Sequence, residues 1–168
     1  MRWLAAEPIE SERLRLEPLT VRHGTRMVSV LADPSIYHFM GGEPPSALTL
    51  ARQYRRQVVG HSPDGCIGWL NWIVTLAETE TPIGVVQATL LERSQAAADL
   101  SWVITPAQQG RGYATEAATV LVGWLNEHGV TGFAANIHPE HGASGAVARR
   151  LGLHPTAVVV DGEVRWES

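Results

Sequence analysis

Lysine is missing from this sequence, and all 13 of its basic residues are arginine. This absence excludes enzymes that form a Schiff base through lysine, and it excludes a P-loop, whose lysine contacts nucleotide phosphates. The single cysteine, Cys66, excludes an intrachain disulfide and a cysteine-rich zinc site. Apolar runs are also short, and none approaches the roughly 20 residues that a membrane-spanning helix needs.

The composition that remains is that of an ordinary globular protein. The chain has 168 residues, 45% hydrophobic and 18% charged, so we expect one domain over residues 1–168. Its formal net charge of −4 argues against a nucleic-acid partner. Because residues 1–8 lack the apolar core of a secretory signal, we expect a cytoplasmic protein with no membrane partner.

Apolar periodicity predicts a chain of mixed α and β structure. Alternating patterns predict strands over 11–19, 66–76, 83–91, 96–104, 130–137, 154–160 and 163–166. Helical patterns predict helices over about 21–31, 47–59, 115–128 and 144–151, with Ser46 and Ser144 as N-caps of the second and fourth. The strands from 66 to 104 form an antiparallel meander, in which Gly84 marks a bulge or a close backbone approach. The crossover helix makes the 96–104 and 130–137 strands parallel.

Aromatic residues mark two candidate parts of a substrate site. Residues 35–45 combine Tyr37 and Phe39 with a glycine pair and a proline pair. This connector either covers one edge of the core or forms a rim over a ligand site. Trp69 and Trp72 are three residues apart in one strand, so they face opposite sides of the sheet. One of them belongs to the core, and the other is a candidate wall of the pocket.

The most informative stretch joins the 96–104 strand to the helix that follows. Gly110 and Gly112 permit a tight turn whose bare N–H groups, with the helix dipole, suit a pyrophosphate. Two other interpretations are a plain tight turn and a dinucleotide-binding fold. The dinucleotide fold fits poorly, because position 115 is threonine and the preceding strands are antiparallel. It also needs an acidic ribose partner after the next strand, where only Glu140 is available.

The run from Gln109 to Ala117, with the spacing Gln109-x-x-Gly112-x-Ala114, resembles the acyl-CoA motif of the GCN5-related N-acetyltransferase (GNAT) superfamily. The order of predicted elements is similar to that fold over nearly the whole chain. The resemblance extends to the ribosomal-protein alanine acetyltransferase branch at residues 10–19, 32–34 and 143–153. It implies an α+β, three-layer fold: a mixed, mostly antiparallel sheet of about seven strands, helices on both faces and two splayed central strands.

The resemblance also implies acetyl-CoA as the acyl donor and an amine as the acceptor. Backbone N–H groups of residues 110–115 would hold the pyrophosphate, and the strand ending at Val103 and Ile104 would pair with pantetheine and polarise the thioester. The implied cofactor-binding residues are Val103, Ile104, Gln109, Gly110, Arg111, Gly112, Tyr113, Ala114, Thr115, His141 and Ser144. The candidate acceptor-binding residues are Tyr37, Phe39, Trp69 and Trp72.

Direct attack on a thioester requires an amine that has lost its proton, so the site needs a base. Asp99 is the first candidate, because burial would raise its pKa toward neutrality. His138 is the second candidate and Glu92 the third, and each of the three also has a plain structural interpretation. Ser144 is the candidate acid near the thiol, with a water or no acid as alternatives.

The sequence departs from the implied family at two positions. His141 stands where the family usually carries a cofactor-binding asparagine, and Ala148 stands where other branches carry a tyrosine acid. Two histidines and Glu140 in the 138–141 loop also suggest a metal site, but the helical spacing of zinc proteases is absent, so we expect no metal.

The leading hypothesis is an N-acetyltransferase that acts in a ternary complex. Its acceptor is either a protein N-terminal amine or a small-molecule amine such as an antibiotic. The alternative is a member of the fold that senses acyl-CoA or has lost catalysis. Family members often dimerise, so a homodimer is among the expectations.

Overall fold

The computed structural model describes residues 3–91 and 96–168. Its strands are β1 (Ile9–Glu10), β2 (Leu14–Pro18), β3 (Gly68–Leu76), β4 (Pro82–Leu90), β5 (Ala97–Ile104), β6 (Gly132–Ile137), β7 (His154–Val160) and β8 (Glu163–Glu167). They form one sheet in the order β1-β2-β3-β4-β5-β6-β8-β7, in which only β5 and β6 run parallel to each other. The predicted mixed, mostly antiparallel sheet is confirmed. The strand added to the predicted seven is β1, whose two residues are too few to show a periodic pattern.

The helices are α1 (His23–Val30), α2 (Tyr37–Met40), α3 (Ala47–Gln57), α4 (Tyr113–Glu127) and α5 (Gly142–Arg150). Ser46 caps α3 as predicted, since its hydroxyl accepts the Thr49 N–H at 3.1 Å. The prediction for α5 was wrong, because this helix begins two residues earlier and the Nδ1 atom of His141 accepts the Ser144 N–H. Ser144 is therefore the third helical residue and not the N-cap.

Helices cover both faces of the sheet. The face covered by α4 and α5 holds the larger core, which includes Leu121, Leu125 and Ala148 from these helices. The opposite face holds a smaller core between α1, α3 and β3, built around Met27 and Tyr54.

Trp72 belongs to the larger core. Its side chain is fully buried, its indole N–H donates to the Glu7 carbonyl at 2.7 Å, and its ring packs edge-on against Trp124. A residue buried in this way is not available to a substrate, so the core alternative holds for Trp72. Trp69 faces the other side of β3, as the alternation predicted.

The parallel strands β5 and β6 separate along their length. They pair only from Ala97 to Asp99 on β5, opposite residues 132–134 of β6, and β5 then continues to Ile104 without its neighbour. The predicted splay of the two central strands is confirmed. It opens a gap whose β5 side leads directly to the glycine turn.

Gly84 on β4 is a site of close backbone approach, and the register between β3 and β4 also shifts beside it, so both predicted alternatives hold. A Cβ atom at this position would collide with the Val103 carbonyl oxygen and lie 3.0 Å from the Ile104 Cα. Glycine is therefore required where β4 passes the end of β5. In the part of the chain that the structure describes, no helix is long and apolar enough to cross a membrane.

Candidate active site

The glycine turn ends in a helix N-terminus with free donors. Gly110 and Gly112 both adopt positive φ angles, 75° and 81°, and Gly112 is the N-cap of α4. The first helical bond runs from the Glu116 N–H to the Gly112 carbonyl at 3.0 Å. Within residues 3–91 and 96–168, none of the six amides at 110–115 donates to another group. Bare amides at the positive end of a helix dipole form a site for a phosphate group.

Side chains from the segment just before β2 hold this turn in place. Arg13 donates from Nε to Glu116 at 2.6 Å and from Nη1 to the Arg111 carbonyl at 3.0 Å. Its guanidinium also lies 4.5 Å from the centre of the Tyr113 ring. Glu116 accepts two further hydrogen bonds, from the Ser11 hydroxyl at 2.7 Å and from the Arg13 backbone N–H at 2.9 Å. These contacts tie the turn to the segment that precedes β2.

The pKa of Glu116 reflects this environment. Burial by itself would raise the pKa, but the hydrogen bonds from Ser11 and Arg13 and the positive charge of Arg13 outweigh burial and lower it below 4.5. The carboxylate is therefore ionised at neutral pH and keeps Arg13 in place. Because Glu116 neutralises Arg13, the anion site depends mainly on backbone amides.

Alternate residues of β5 direct their backbone N–H and C=O groups into the gap. The Leu91 N–H donates to Ala97 and the Thr105 N–H donates to Ile83, so odd-numbered residues of β5 bond to β4. The amide of Val103 is thus directed at β4, whereas Trp102 and Ile104 direct their backbone groups into the gap. The Gln109 side chain donates to the Ile104 carbonyl at 2.8 Å, which leaves the Ile104 N–H as the donor nearest the turn. Of the two predicted thioester contacts, only Ile104 has the required direction.

Asp99 lies where β5 and β6 begin to separate. Both of its carboxylate oxygens accept hydrogen bonds from Arg165 on β8, at 2.9 and 3.3 Å. The Asp99 side chain is 28% exposed, so it is an accessible, ion-paired carboxylate and not the apolar, buried one that the sequence suggested. The hydrogen bonds to Asp99 and Glu167 raise the pKa of Arg165.

The loop between β6 and α5 carries both candidate histidines. The Nδ1 atom of His138 accepts the Glu140 N–H at 3.2 Å, and that of His141 accepts the Ser144 N–H at 3.5 Å. Burial, and to a lesser extent the charge of His138, lowers the pKa of His141 below 6.5. Phe39 of the connector stacks on His141 with 4.4 Å between ring centroids. The structure thus brings a predicted acceptor residue against a predicted cofactor residue.

The remaining predicted residues, Tyr37, Trp69 and Glu92, are not part of the contacts described above. The Tyr37 hydroxyl donates to the Leu31 carbonyl at 2.9 Å, and burial raises the pKa of Tyr37. Trp69 lines a cavity of about 510 Å³ with residues 3–6 and the end of α3. Glu92 lies outside the described residues. Among residues 3–91 and 96–168, no three His, Cys, Asp or Glu side chains converge on a possible metal position.

Sequence reasoning did not identify Arg13 or Arg165 as site residues. Arg13 lies on the outward side of a predicted strand, and Glu116 lies in the first turn of a predicted helix. The sequence pattern does not indicate which charged residue either of them pairs with. Their pairing crosses 103 residues and depends on the position of β2 beside α4. The alternation of a strand cannot show which distant charge its outward residues meet.

Comparison with known proteins identifies a family whose sequence pattern covers most of these site residues. The sequence profile of the family described as the acetyltransferase (GNAT) domain matches residues 13–154. No curated protein sequence matches the chain significantly. The match therefore comes from a family-wide pattern, and it includes the glycine turn, Asp99 and the loop that carries both histidines.

Solved structures share this architecture at low sequence identity. One is RimL, a ribosomal L7/L12 alpha-N-protein acetyltransferase in complex with coenzyme A, with a TM-score of 0.81, 18% identity and coverage of 96% of this chain and 97% of that chain. Another is the Salmonella typhimurium acetyl transferase that modifies the N-terminal serine of L7/L12, with a TM-score of 0.77, 16% identity and coverage of 96% and 98%. An Agrobacterium tumefaciens acetyltransferase has a TM-score of 0.72, 24% identity and coverage of 100% and 97%. At these identities the similarity is one of fold.

Proposed function

Because the chain belongs to the acetyltransferase (GNAT) domain family, we propose that it transfers an acetyl group from acetyl-CoA to a primary amine, which attacks directly in a ternary complex. The acceptor that we propose is the N-terminal amine of a protein. The observation that supports this proposal is a helix N-terminus with six free amides at the open end of two separating strands.

The chain's groups fit acetyl-CoA at both ends of this gap. The amides of residues 110–115 would hold the pyrophosphate. The positive φ of Gly112 favours glycine at this position, and glycine adds no Cβ to the turn. The backbone groups of Trp102 would bond to the pantetheine arm in the manner of an added strand. The Ile104 N–H would donate to the thioester carbonyl oxygen, where negative charge develops during attack.

Asp99 is the group that we propose as the proton acceptor. A terminal α-amine has an ordinary pKa of about 8, so a useful fraction is already neutral near that pH. Once its nitrogen bonds to the acyl carbon, that nitrogen carries an acidic proton, which a carboxylate can accept directly or through a water. The C–S bond of the thioester then breaks, and coenzyme A leaves as a thiolate that takes up a proton from water. Arg165 holds the carboxylate in position.

The acceptor is proposed from the names of structural neighbours together with the chemistry of the site. Two of these neighbours modify a ribosomal-protein N-terminus, which is why an α-amine of a protein is favoured. A small-molecule amine or an antibiotic is the alternative acceptor. A cytoplasmic, bacterial enzyme would encounter both kinds of amine, and a homodimer is compatible with either.

The phosphate site is tested by a matched pair of variants at one position. Gly112→Glu and Gly112→Gln impose the same strain at positive φ and add nearly the same volume, but only glutamate adds a negative charge. We expect acetyl-CoA binding, measured by isothermal titration calorimetry, to become undetectable in the glutamate variant and to weaken in the glutamine variant. Equal affinities in the two folded variants would contradict the proposed phosphate position.

The competing function is a non-catalytic acyl-CoA sensor. Thiol release from acetyl-CoA, measured with N-terminal peptides, polyamines and aminoglycosides, separates the two functions. We expect amine-dependent release that is fastest with N-terminal peptides. A protein that binds acetyl-CoA and releases thiol with no amine in this panel would instead favour the sensor.

A further inference from the structure

Aromatic rings from two distant parts of the chain meet beside the proposed cofactor site. Phe39 on α2 stacks on His141 with 22° between the ring planes, and its centroid is 5.1 Å from that of His138. His38 packs edge-on against Phe39, with 4.7 Å between the ring centroids. These contacts tie the connector (residues 35–45) to the loop that follows β6.

The hydrogen bond of His141 requires a defined ring state. Its Nδ1 atom accepts the Ser144 N–H at the start of α5, and an imidazole nitrogen can accept only when it carries no proton. The ring must therefore be neutral, with its proton on Nε2. A proton on Nδ1 would remove the cap and place a positive charge at a helix N-terminus, where the dipole disfavours it. The neutral ring offers one donor, Nε2–H, on the side opposite the helix.

We propose that Phe39 is a positioning residue for His141. Its flat face holds the imidazole so that Nδ1 caps α5 and Nε2–H is available to an acceptor group on acetyl-CoA. This inference rests on the proposed function and on the cofactor contact that the sequence resemblance implies for His141. The connector, which the sequence predicts as part of the acceptor site, then has a second role: Phe39 influences the affinity for acetyl-CoA without touching it.

The stack also covers one face of the His141 ring. The titratable groups around this ring are His138 and Glu140 of its own loop and His38 on α2. Burial, to which the Phe39 ring contributes, and the charge of His138 lower the pKa of His141. Removal of the ring should therefore let the pKa of His141 rise toward its ordinary value of 6.5.

A double-mutant cycle tests the proposal. Phe39→Leu keeps an apolar side chain but removes the flat face, and His141→Asn provides a cap that needs no stacking partner. We expect Phe39→Leu to weaken acetyl-CoA binding about two- to tenfold in the wild-type background and to have little effect in the His141→Asn background. Phe39→Tyr should restore affinity, and Met40→Leu, on the same helical turn, should leave it unchanged.

A second measurement is independent of the cofactor. Titration of the His141 ring by NMR in the free protein, assigned with His141→Asn, should show a higher pKa in Phe39→Leu than in the wild type or Phe39→Tyr. Equal losses of affinity in both backgrounds, or an unchanged His141 titration, would overturn the proposal. A wild-type protein that does not bind acetyl-CoA would instead refute the proposed function, and the NMR titration would still test the stack.

Discussion

Replacement of Arg13 by glutamine should loosen the glycine turn from the rest of the protein. Arg13 contacts Glu116, the Arg111 carbonyl and the face of Tyr113, so it connects β2 to both sides of the turn. Glutamine keeps the backbone N–H that donates to Glu116 but cannot reach all three partners. Glu116 would keep its bond to Ser11 and remain folded against β2.

The magnitude follows from the exposure of the two charged groups. A hydrogen bond to a charged group contributes about 1.5–3 kcal/mol when buried, and an exposed ion pair contributes at most about 1 kcal/mol. The Arg13 side chain is 44% exposed and that of Glu116 is 17% exposed, so solvent screening reduces the value. We expect a loss of about 1–2 kcal/mol in the free energy of unfolding, which lowers Tm by roughly 2–8 °C in a protein of this size. Acetyl-CoA should bind about three- to tenfold more weakly, because the free turn must be ordered on binding.

The effect should depend on pH in a defined direction. The pKa of Glu116 is lowered in the folded state, so its contribution to stability is fully present above about 4.5 and is lost as the pH falls through the folded pKa. The difference in Tm between the wild type and Arg13→Gln should therefore be constant near neutral pH and shrink below about pH 4.5.

The assay is thermal unfolding between pH 3 and 8, followed by calorimetric titration with acetyl-CoA. Arg15→Gln is the matched control, since Arg15 lies two residues further along the chain, on β2, with 46% exposure, and its ion pairs to Glu10 and Glu80 are both 3.5 Å long. This control should change Tm by less than about 1 °C and leave the affinity unchanged. Equal effects of the two substitutions, or a difference in Tm that does not shrink as the pH falls below about 4.5, would refute the role assigned to Arg13.

Two further predictions concern the strands beside the gap. Gly84→Ala should lower the free energy of unfolding by about 1–3 kcal/mol, because its Cβ meets backbone that cannot move aside. Gly123→Ala, in open space on α4, should raise the free energy of unfolding by about 0.5–1 kcal/mol. Chemical denaturation measures both changes, and a stable Gly84→Ala protein would show that β4 and β5 can separate. Asp99→Asn keeps a polar partner for Arg165 but cannot accept a proton, so kcat should fall at least about tenfold at a pH where the acceptor amine is neutral; an unaltered kcat would remove Asp99 from the proposed chemistry.

The connector (residues 35–45) shows what residue types alone can and cannot predict. Its aromatic residues suggested either a cover for the core or a rim over a ligand, and the two aromatic residues have different contacts in the structure. Tyr37 is tied to the Leu31 carbonyl, whereas Phe39 packs on the β6–α5 loop. The residue types were visible in the sequence, but their contacts depend on which loop lies opposite.

The sequence by itself determined the order of the elements, the meander, the glycine turn and the family. These features depend on side-chain period, on the backbone freedom of glycine and on short spacings, all of which act within a few residues. The tertiary structure alone decided that Arg13 holds the turn, that Asp99 is ion-paired with Arg165 and that His141 caps α5 under Phe39. Two of these contacts join residues more than 90 positions apart, and a hydrogen bond or ring stack depends on sub-ångström placement that only the packed sheet and helices provide.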